Sequence, residues 1–165
     1  MGLEHVGIDQ SRRVDKNEYD TGIAYCPLDS MTPNYTILVP RSTTRKVRRR
    51  IRPKFKSYHD LRKKWFGPKM YAVTLYYLLK GSIVDIENIH IEKEYEGHQN
   101  AILDTIGNWF RDDGQSFNRS KFQCPPGRSD FKAHELSNKI RKRERQANRI
   151  LEFEDFEKKM LPSRY

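Results

Sequence analysis

A carboxylate that could bind a ligand stands at the end of the first predicted strand. In residues 5–11, HVGIDQS, Val6 and Ile8 alternate with Gly7 and Asp9, which is the period-two pattern of a strand with one buried face. Asp9 then lies at the carboxyl end of that strand, where open α/β sheets bind their ligands. If this strand is central in a sheet, later acidic residues should converge on Asp9. The alternative is an ordinary short strand with a surface aspartate.

Candidate partners for this carboxylate occur in a later strand and at the start of the last main helix. The alternating residues 88–95 predict a strand with Glu92 and Glu94 on the same face. Asp130 and His134 are four residues apart, so on a helix both point to one side. Each has a structural alternative: the acids of the strand are surface charges, Asp130 only favours a helix N-terminus, and His134 is a satisfied structural histidine.

Hydrophobic periodicity and turn residues predict an α/β order of elements, βββ-α-β-α-β-α. The first three strands form an antiparallel meander. After them come a basic helical segment interrupted by Pro53, a break at Gly67-Pro68, a buried helix, and the strand that carries Glu92. The predicted ranges are strands at 5–9, 21–28, 35–40, 88–95 and 116–124, helices at 69–79 and 98–111, a long helix from Ser129 whose far half is the basic run 141–149, and a brief strand or turn with a terminal helical turn at 151–160.

Three short motifs in this order resemble the RNase H-like superfamily, in particular its RuvC-type Holliday-junction resolvases. They are Gly7-Ile8-Asp9 at the end of the first strand, Ile91-Glu92 at the fourth, and residues 129–135, SDFKAHE, opening the last main helix. The resemblance implies a mixed five-stranded RNase H-like sheet flanked by helices. It also departs from the family pattern, because a second aspartate one turn further on is missing and Pro-Pro-Gly precedes the last motif.

The resemblance implies a divalent-metal-dependent endonuclease that hydrolyses phosphodiester bonds. Its cofactor would be Mg²⁺ or Mn²⁺, which prefer oxygen ligands. The implied metal ligands are Asp9, Glu92, Asp130 and Glu94, and the implied catalytic residues are Asp9, Glu92, Asp130 and His134. A metal site that is incomplete, or that is completed by Glu135 or Glu94, stays an alternative.

The positive charge of the chain is concentrated in one segment. Residues 41–64 contain 12 Lys or Arg and one acid, whereas the rest of the chain has 20 basic and 21 acidic residues. Such a local field is typical of a protein that binds nucleic acid, although a solvated basic helix face is the alternative. The predicted phosphate-binding residues are Arg45, Lys46, Arg48, Arg49, Arg50, Arg52, Lys54, Lys63 and Lys64. Aromatic residues at 58, 65 and 66 could stack on bases, or belong to the core.

Length and composition predict a single RNase H-like domain over residues 1–165, with a basic helical segment at 41–66 and a basic C-terminal helix and tail at 129–165. No run is long and apolar enough to cross a bilayer, so we expect a soluble cytoplasmic protein without a membrane partner. Cys26 and Cys124 stand alone, which makes a zinc site improbable. The apolar helix at 69–79 packs on its own sheet or serves a homodimer.

Two functions therefore compete at the level of the sequence. The first is an endonuclease that cuts branched DNA, with structured RNA or RNA/DNA hybrids as other substrates. The second is a non-catalytic RNase H-like protein that binds DNA or RNA through the basic segment. The order of Asp9, Glu92 and Asp130 favours the first.

Overall fold

A six-stranded mixed sheet carries the fold. The computed structural model describes residues 3–16, 18–28, 35–56, 60–92, 94–124 and 132–161. Its strands lie in the order β5-β4-β1-β2-β3-β6. They are β1 (Leu3–Gln10), β2 (Thr21–Pro27), β3 (Tyr35–Val39), β4 (Ile86–Ile91), β5 (Phe122–Gln123) and β6 (Arg149–Ile150). The predicted α/β class is confirmed, and the described part of the chain has one strand more than expected because the short β6 pairs with β3.

The arrangement around β1 brings two strand ends together. β1, β2 and β3 form the predicted antiparallel meander, whereas β4 runs parallel to β1. In that parallel pairing Ile8 lies opposite Ile91. The carboxyl ends of β1 and β4 are therefore side by side at one edge of the sheet.

Helices cover the two faces of the sheet unequally. One face, with Val6, Ile8 and Ile89, belongs to a large apolar core in which the second half of α3 is almost entirely buried. The other face has a small apolar cluster between β2 and α5. The helices are α1 (Arg41–Arg50), α2 (Arg52–Lys56), α3 (Asp60–Leu79), α4 (Gln99–Asp112), α5 (Lys132–Arg141) and α6 (Phe153–Met160).

Small residues on β2 allow α5 to lie close to the sheet. Ala24 and Cys26 are fully buried against Ala133 and Leu136 of this helix. At Gly22 the approach is closest, because a Cβ there would lie 2.0 Å from the carbonyl oxygen of Ser137. Only glycine fits this position, and it fixes the height of α5 above β2.

The predicted break at Gly67-Pro68 is wrong, because α3 continues through both residues. Gly67 serves close packing, since a Cβ on it would lie 2.9 Å from Oδ2 of Asp15. Pro68 removes one backbone donor from the helix, but burial of the residues that follow outweighs this loss. The predicted interruption by Pro53 is confirmed, because α1 ends at Arg50 and α2 begins at Arg52.

Two predicted boundaries near the candidate site were also wrong, and a third is untested. β4 ends at Ile91 instead of residue 95, so Glu92 follows the strand. β5 is two residues long, because Asn118 accepts a hydrogen bond from the Ser120 N–H and starts a 3₁₀ turn. The start of the last main helix, with Asp130, lies outside the described residues.

The basic run 141–149 is not helical beyond its first residue, as α5 ends at Arg141. Arg143 adopts the left-handed conformation with φ 61°. Its N–H donates to the carbonyl of Ile140, and the N–H of Glu144 donates to that of Lys139. These two bonds form a Schellman motif, which closes the helix without a glycine.

Candidate metal centre

Asp9 is the buried member of the candidate site. Its side chain is 1% exposed and lies near the end of β1, opposite Ala24 in register. Oδ1 accepts a hydrogen bond from the backbone N–H of Gln10 at 2.8 Å. Oδ2 lies 2.6 Å from Nδ1 of His134. Strand β1 therefore delivers the carboxylate to the sheet face on which α5 lies.

Glu92 and His134 reach Asp9 from two other elements. Glu92 directly follows Ile91, the last residue of β4, and is therefore adjacent to Asp9 across the parallel pair. His134 lies in the first turn of α5 and keeps 44% of its side chain exposed. The position of α5 depends on Gly22, so this glycine also sets the place of the imidazole.

The three side chains have the geometry of a divalent-cation site. One ligand atom each from Asp9, Glu92 and His134 lies within 4.8 Å of the other two. Two carboxylate oxygens and an imidazole nitrogen form a mixed set that suits Mn²⁺ and related divalent ions, and Mg²⁺ when water supplies further oxygens. The residues present thus fit the cation that the sequence predicted. The identity of the metal is part of the proposal below.

The electrostatics of the site favour a bound cation. Burial, followed by the hydrogen bond and the negative charge of Glu92, raises the pKa of Asp9 to about 9. The Gln10 N–H opposes this shift. Burial and then Glu92 also raise the pKa of Glu94, against the opposing effect of Arg13. Buried carboxylates this close together cannot all be ionised unless a cation compensates their charge, so they either keep a proton or bind a metal ion.

Two other candidate ligands, Glu94 and Glu135, are not members of this cluster. Glu94 lies close enough for its charge to raise the pKa of Asp9, but it is not part of the three-residue cluster found in the described chain. Glu135 is exposed on α5 and is not part of it either. Asp130 falls outside the described residues, so its predicted role stays a prediction.

A buried polar network beside the site was not predicted from the sequence. Asp15 is 7% exposed, and its Oδ1 accepts hydrogen bonds from the Tyr95 hydroxyl at 2.9 Å and from Nε of Arg13 at 3.2 Å. The Arg13 guanidinium also lies 4.5 Å from the centre of the Tyr95 ring. The sequence signal was weak, because Arg13 and Asp15 belong to a polar stretch that looks like an ordinary connection. This network holds the segment that follows Glu94.

The cations of the basic segment differ in exposure and in contacts. Arg45, Arg49, Arg50, Lys54 and Lys64 are exposed, and the Arg50 guanidinium lies 5.7 Å from the centre of the Phe153 ring. Arg48 donates a 2.6 Å hydrogen bond to the carbonyl of Asp15. The Nζ of Lys46 lies 4.7 Å from the centre of the Phe153 ring, and Arg52 is half-buried. The Lys63 side chain and Tyr58 lie outside the described residues.

Of the aromatic residues considered for base stacking, Phe66 is 3% exposed and belongs to the core. Trp65 packs at the margin of that core, with its ring centre 6.0 Å from that of His98. The core alternative is therefore correct for Phe66.

Comparison of the chain with protein-family models, with curated proteins and with solved structures found no match. In the described part of the chain, no helix has both the length and the apolar character needed to span a bilayer.

Proposed function

We propose that this protein is a divalent-metal-dependent endonuclease that hydrolyses phosphodiester bonds in branched or structured nucleic acid. The observation that carries the proposal is the cluster of Asp9, Glu92 and His134, whose ligand atoms meet within 4.8 Å although they come from three separate elements. The concentration of positive charge in residues 41–64 adds a means of binding a polyanion.

The residues of the cluster would divide the work. Asp9 and Glu92 would hold Mg²⁺ or Mn²⁺. When bound, such an ion activates water and stabilises the charge that develops on the phosphate oxygens. His134 would complete the ligand set through its neutral imidazole. Where the two carboxylates alone hold the ion, its half-exposed ring could instead reach a substrate and pass a proton to the leaving oxygen. The Gln10 N–H fixes one oxygen of Asp9 and so orients the other.

The basic segment would bind the backbone of the substrate. Exposed arginines such as Arg45 and Arg49 contact phosphates without reading bases, so they contribute affinity and orientation. Branched DNA is the preferred substrate, because the order of the three motifs resembles the RuvC-type resolvases and an RNase H-like arrangement. Structured RNA and RNA/DNA hybrids carry the same phosphate chemistry and belong in the same test.

A second candidate function is non-catalytic binding of nucleic acid. It is favoured by the separation of the basic segment from the acidic cluster, because the positive charge of residues 41–64 can bind nucleic acid whether or not the cluster binds a metal ion. In that case the basic segment would bind DNA or RNA, and the protein would not cut it.

Cleavage of labelled four-way junction, hybrid and single-stranded substrates tests the proposal, with Mg²⁺, Mn²⁺ or EDTA in parallel reactions. We expect cutting only with a divalent ion. Asp9→Asn should lower the rate at least about a thousandfold, because a metal contributes several kcal/mol to the transition state. Its affinity for the same substrate in EDTA should stay nearly unchanged.

Glu87→Gln is the matched control for Glu92→Gln, because Glu87 is an exposed acid on β4, the strand that Glu92 directly follows, and lies outside the cluster. It should cut like the parent, whereas Glu92→Gln should not. Cleavage by Asp9→Asn at the parental rate would refute the assignment. Tight binding with no cutting under any condition would favour the second candidate.

A further inference from the structure

A small, partly open cavity lies next to Glu92 of the candidate metal centre. Its volume of about 20 Å³ is enough for one water molecule. Glu92 and Glu94 line it on one side, and Tyr71 of α3, Gln99 of α4 and Cys124 line the rest together with apolar side chains. The cavity therefore joins the carboxylates to the two helices that cover the large core.

Two buried donors in this cavity lack a hydrogen-bond partner within the described residues. They are the hydroxyl of Tyr71, whose side chain is 2% exposed, and Nε2 of Gln99. A buried polar group left unpaired is costly, and such groups are rare in folded proteins. Two of them around one small cavity beside two carboxylates indicate a shared partner.

The hydroxyl of Tyr71 is suited to donate. Burial, followed by the charges of Glu94 and Asp9, raises its pKa well above the ordinary value, so it keeps its proton at neutral pH. The same charges show that the hydroxyl lies within electrostatic reach of the carboxylates.

One water molecule in the cavity would satisfy both of these donors. Its two lone pairs would accept from the Tyr71 hydroxyl and the Gln99 amide, and its two O–H groups would donate to the carboxylates of Glu92 and Glu94. The polar partners then number four, which is within the range found for buried waters. Two donors and two acceptors around a volume of this size match water better than a cation, which would require acceptors only.

We propose that the cavity binds an ordered water through Tyr71 and Gln99, and that this water positions Glu92 for the metal ion. Tyr71 and Gln99 are thus positioning residues of the metal centre. The positioning role rests on the proposed function, because it assumes that the cluster binds a divalent ion. Partners of this kind, one step removed from the metal, typically change metal affinity by about 10- to 100-fold.

The test compares Mn²⁺ affinity in the full chain by isothermal titration calorimetry. Tyr71→Phe removes only the hydroxyl, and we expect the Kd for Mn²⁺ to rise about 10- to 100-fold. Gln99→Leu should act in the same direction. Tyr25→Phe is the matched control, because it removes another buried hydroxyl, which bonds Ser82 Oγ at 2.5 Å away from the cluster. Its Kd should stay within about twofold of the parent.

Thermal unfolding in EDTA and a high-resolution crystal structure test whether the cavity holds a water molecule. If the Tyr71 hydroxyl bonds a water, Tyr71→Phe should lower the unfolding midpoint by about 2–4 °C, whereas loss of an idle buried hydroxyl would raise it. Density for a water between Tyr71 and Gln99 is expected. A raised midpoint, a dry cavity or an unchanged Mn²⁺ affinity in Tyr71→Phe would overturn the proposal. If the parent binds no Mn²⁺, the proposed function fails, and the midpoint and the density still decide the water.

Discussion

The stability of the metal-free protein should depend on pH through Asp9. Unfolded, this carboxyl titrates near 3.8, and in the folded protein its pKa is about 9. Between these values the folded state holds a proton that the unfolded state has lost. The free energy of unfolding therefore falls as pH rises, by about 1.4 kcal/mol per pH unit for one proton. From pH 5 to pH 8 this single group removes up to about 4 kcal/mol, a large part of the stability of an ordinary domain.

Asp9→Asn isolates this contribution. The amide keeps the shape of the protonated carboxyl and can still accept the Gln10 N–H, but it does not titrate. The slope of unfolding free energy against pH should therefore be less steep than in the parent, by up to about 1.4 kcal/mol per pH unit, which is the effect of one proton. Glu94, whose pKa is also raised, contributes with the same sign in both proteins.

Urea denaturation in EDTA between pH 5 and pH 8, at constant ionic strength and followed by tryptophan fluorescence, measures the slope. Asp112→Asn is the matched control, because it makes the same change at an exposed aspartate at the end of α4, outside the cluster. Addition of Mn²⁺ should stabilise the parent more at pH 8 than at pH 6, because protons compete with the metal for Asp9. Equal slopes for the parent and Asp9→Asn would refute the reasoning, because Asp9 would then ionise as it does in the unfolded chain.

Two further predictions concern the elements around the centre. Gly22→Ala places a Cβ 2.0 Å from the Ser137 carbonyl oxygen, so α5 must shift, and the variant should lose about 1–3 kcal/mol of unfolding free energy and bind Mn²⁺ more weakly. Gly81→Ala is the control, because a Cβ there meets nothing within 4 Å and should change neither property. Parental Mn²⁺ affinity in Gly22→Ala would contradict the role of α5. Charge reversal of three exposed arginines in the basic segment should weaken nucleic-acid binding and flatten the plot of log affinity against log salt by about 0.9 for each lost contact to duplex DNA. The same change at three exposed basic residues outside that segment is the control, and an equal loss there would assign the affinity to net charge alone. The two sets are Arg45, Arg49 and Arg50 for the test, and Lys142, Arg145 and Lys158 for the control.

The convergence on Asp9 was predictable because it depends on patterns local to each element. Alternation identified the strand near whose end Asp9 lies and the strand that was predicted to carry Glu92, which in fact follows it. The helical spacing identified His134. These elements lie where the order of strands and helices predicted, so the three side chains meet. The sequence also contains a signal that was not used: Gly22, Ala24 and Cys26 alternate as small residues, which indicates a helix packed closely on that face of β2.

The failures share one cause, which is contact between residues far apart in the chain. Gly67 looks like a helix break in isolation, but its role is the approach of α3 to Asp15, 52 positions earlier. Tyr71 looks like a core residue of an apolar helix, and only the fold brings its hydroxyl to the cavity behind Glu92. The pairing of β6 with β3 joins just two residue pairs, too few to leave a periodic signal.

The same long-range contacts change how the charge of the basic segment should be interpreted. The sequence treats Arg48 as one of several equivalent cations, but its guanidinium is bonded to the Asp15 carbonyl. The Asp15 carboxylate in turn accepts from Tyr95, which follows Glu94 directly. Arg48 thus joins α1 to the segment that carries the acidic residues, and its replacement should affect the metal centre as well as binding. Phosphate contacts are better sought at exposed Arg45 and Arg49, and the salt dependence of binding should correspond to fewer contacts than the 12 basic residues of 41–64 suggest.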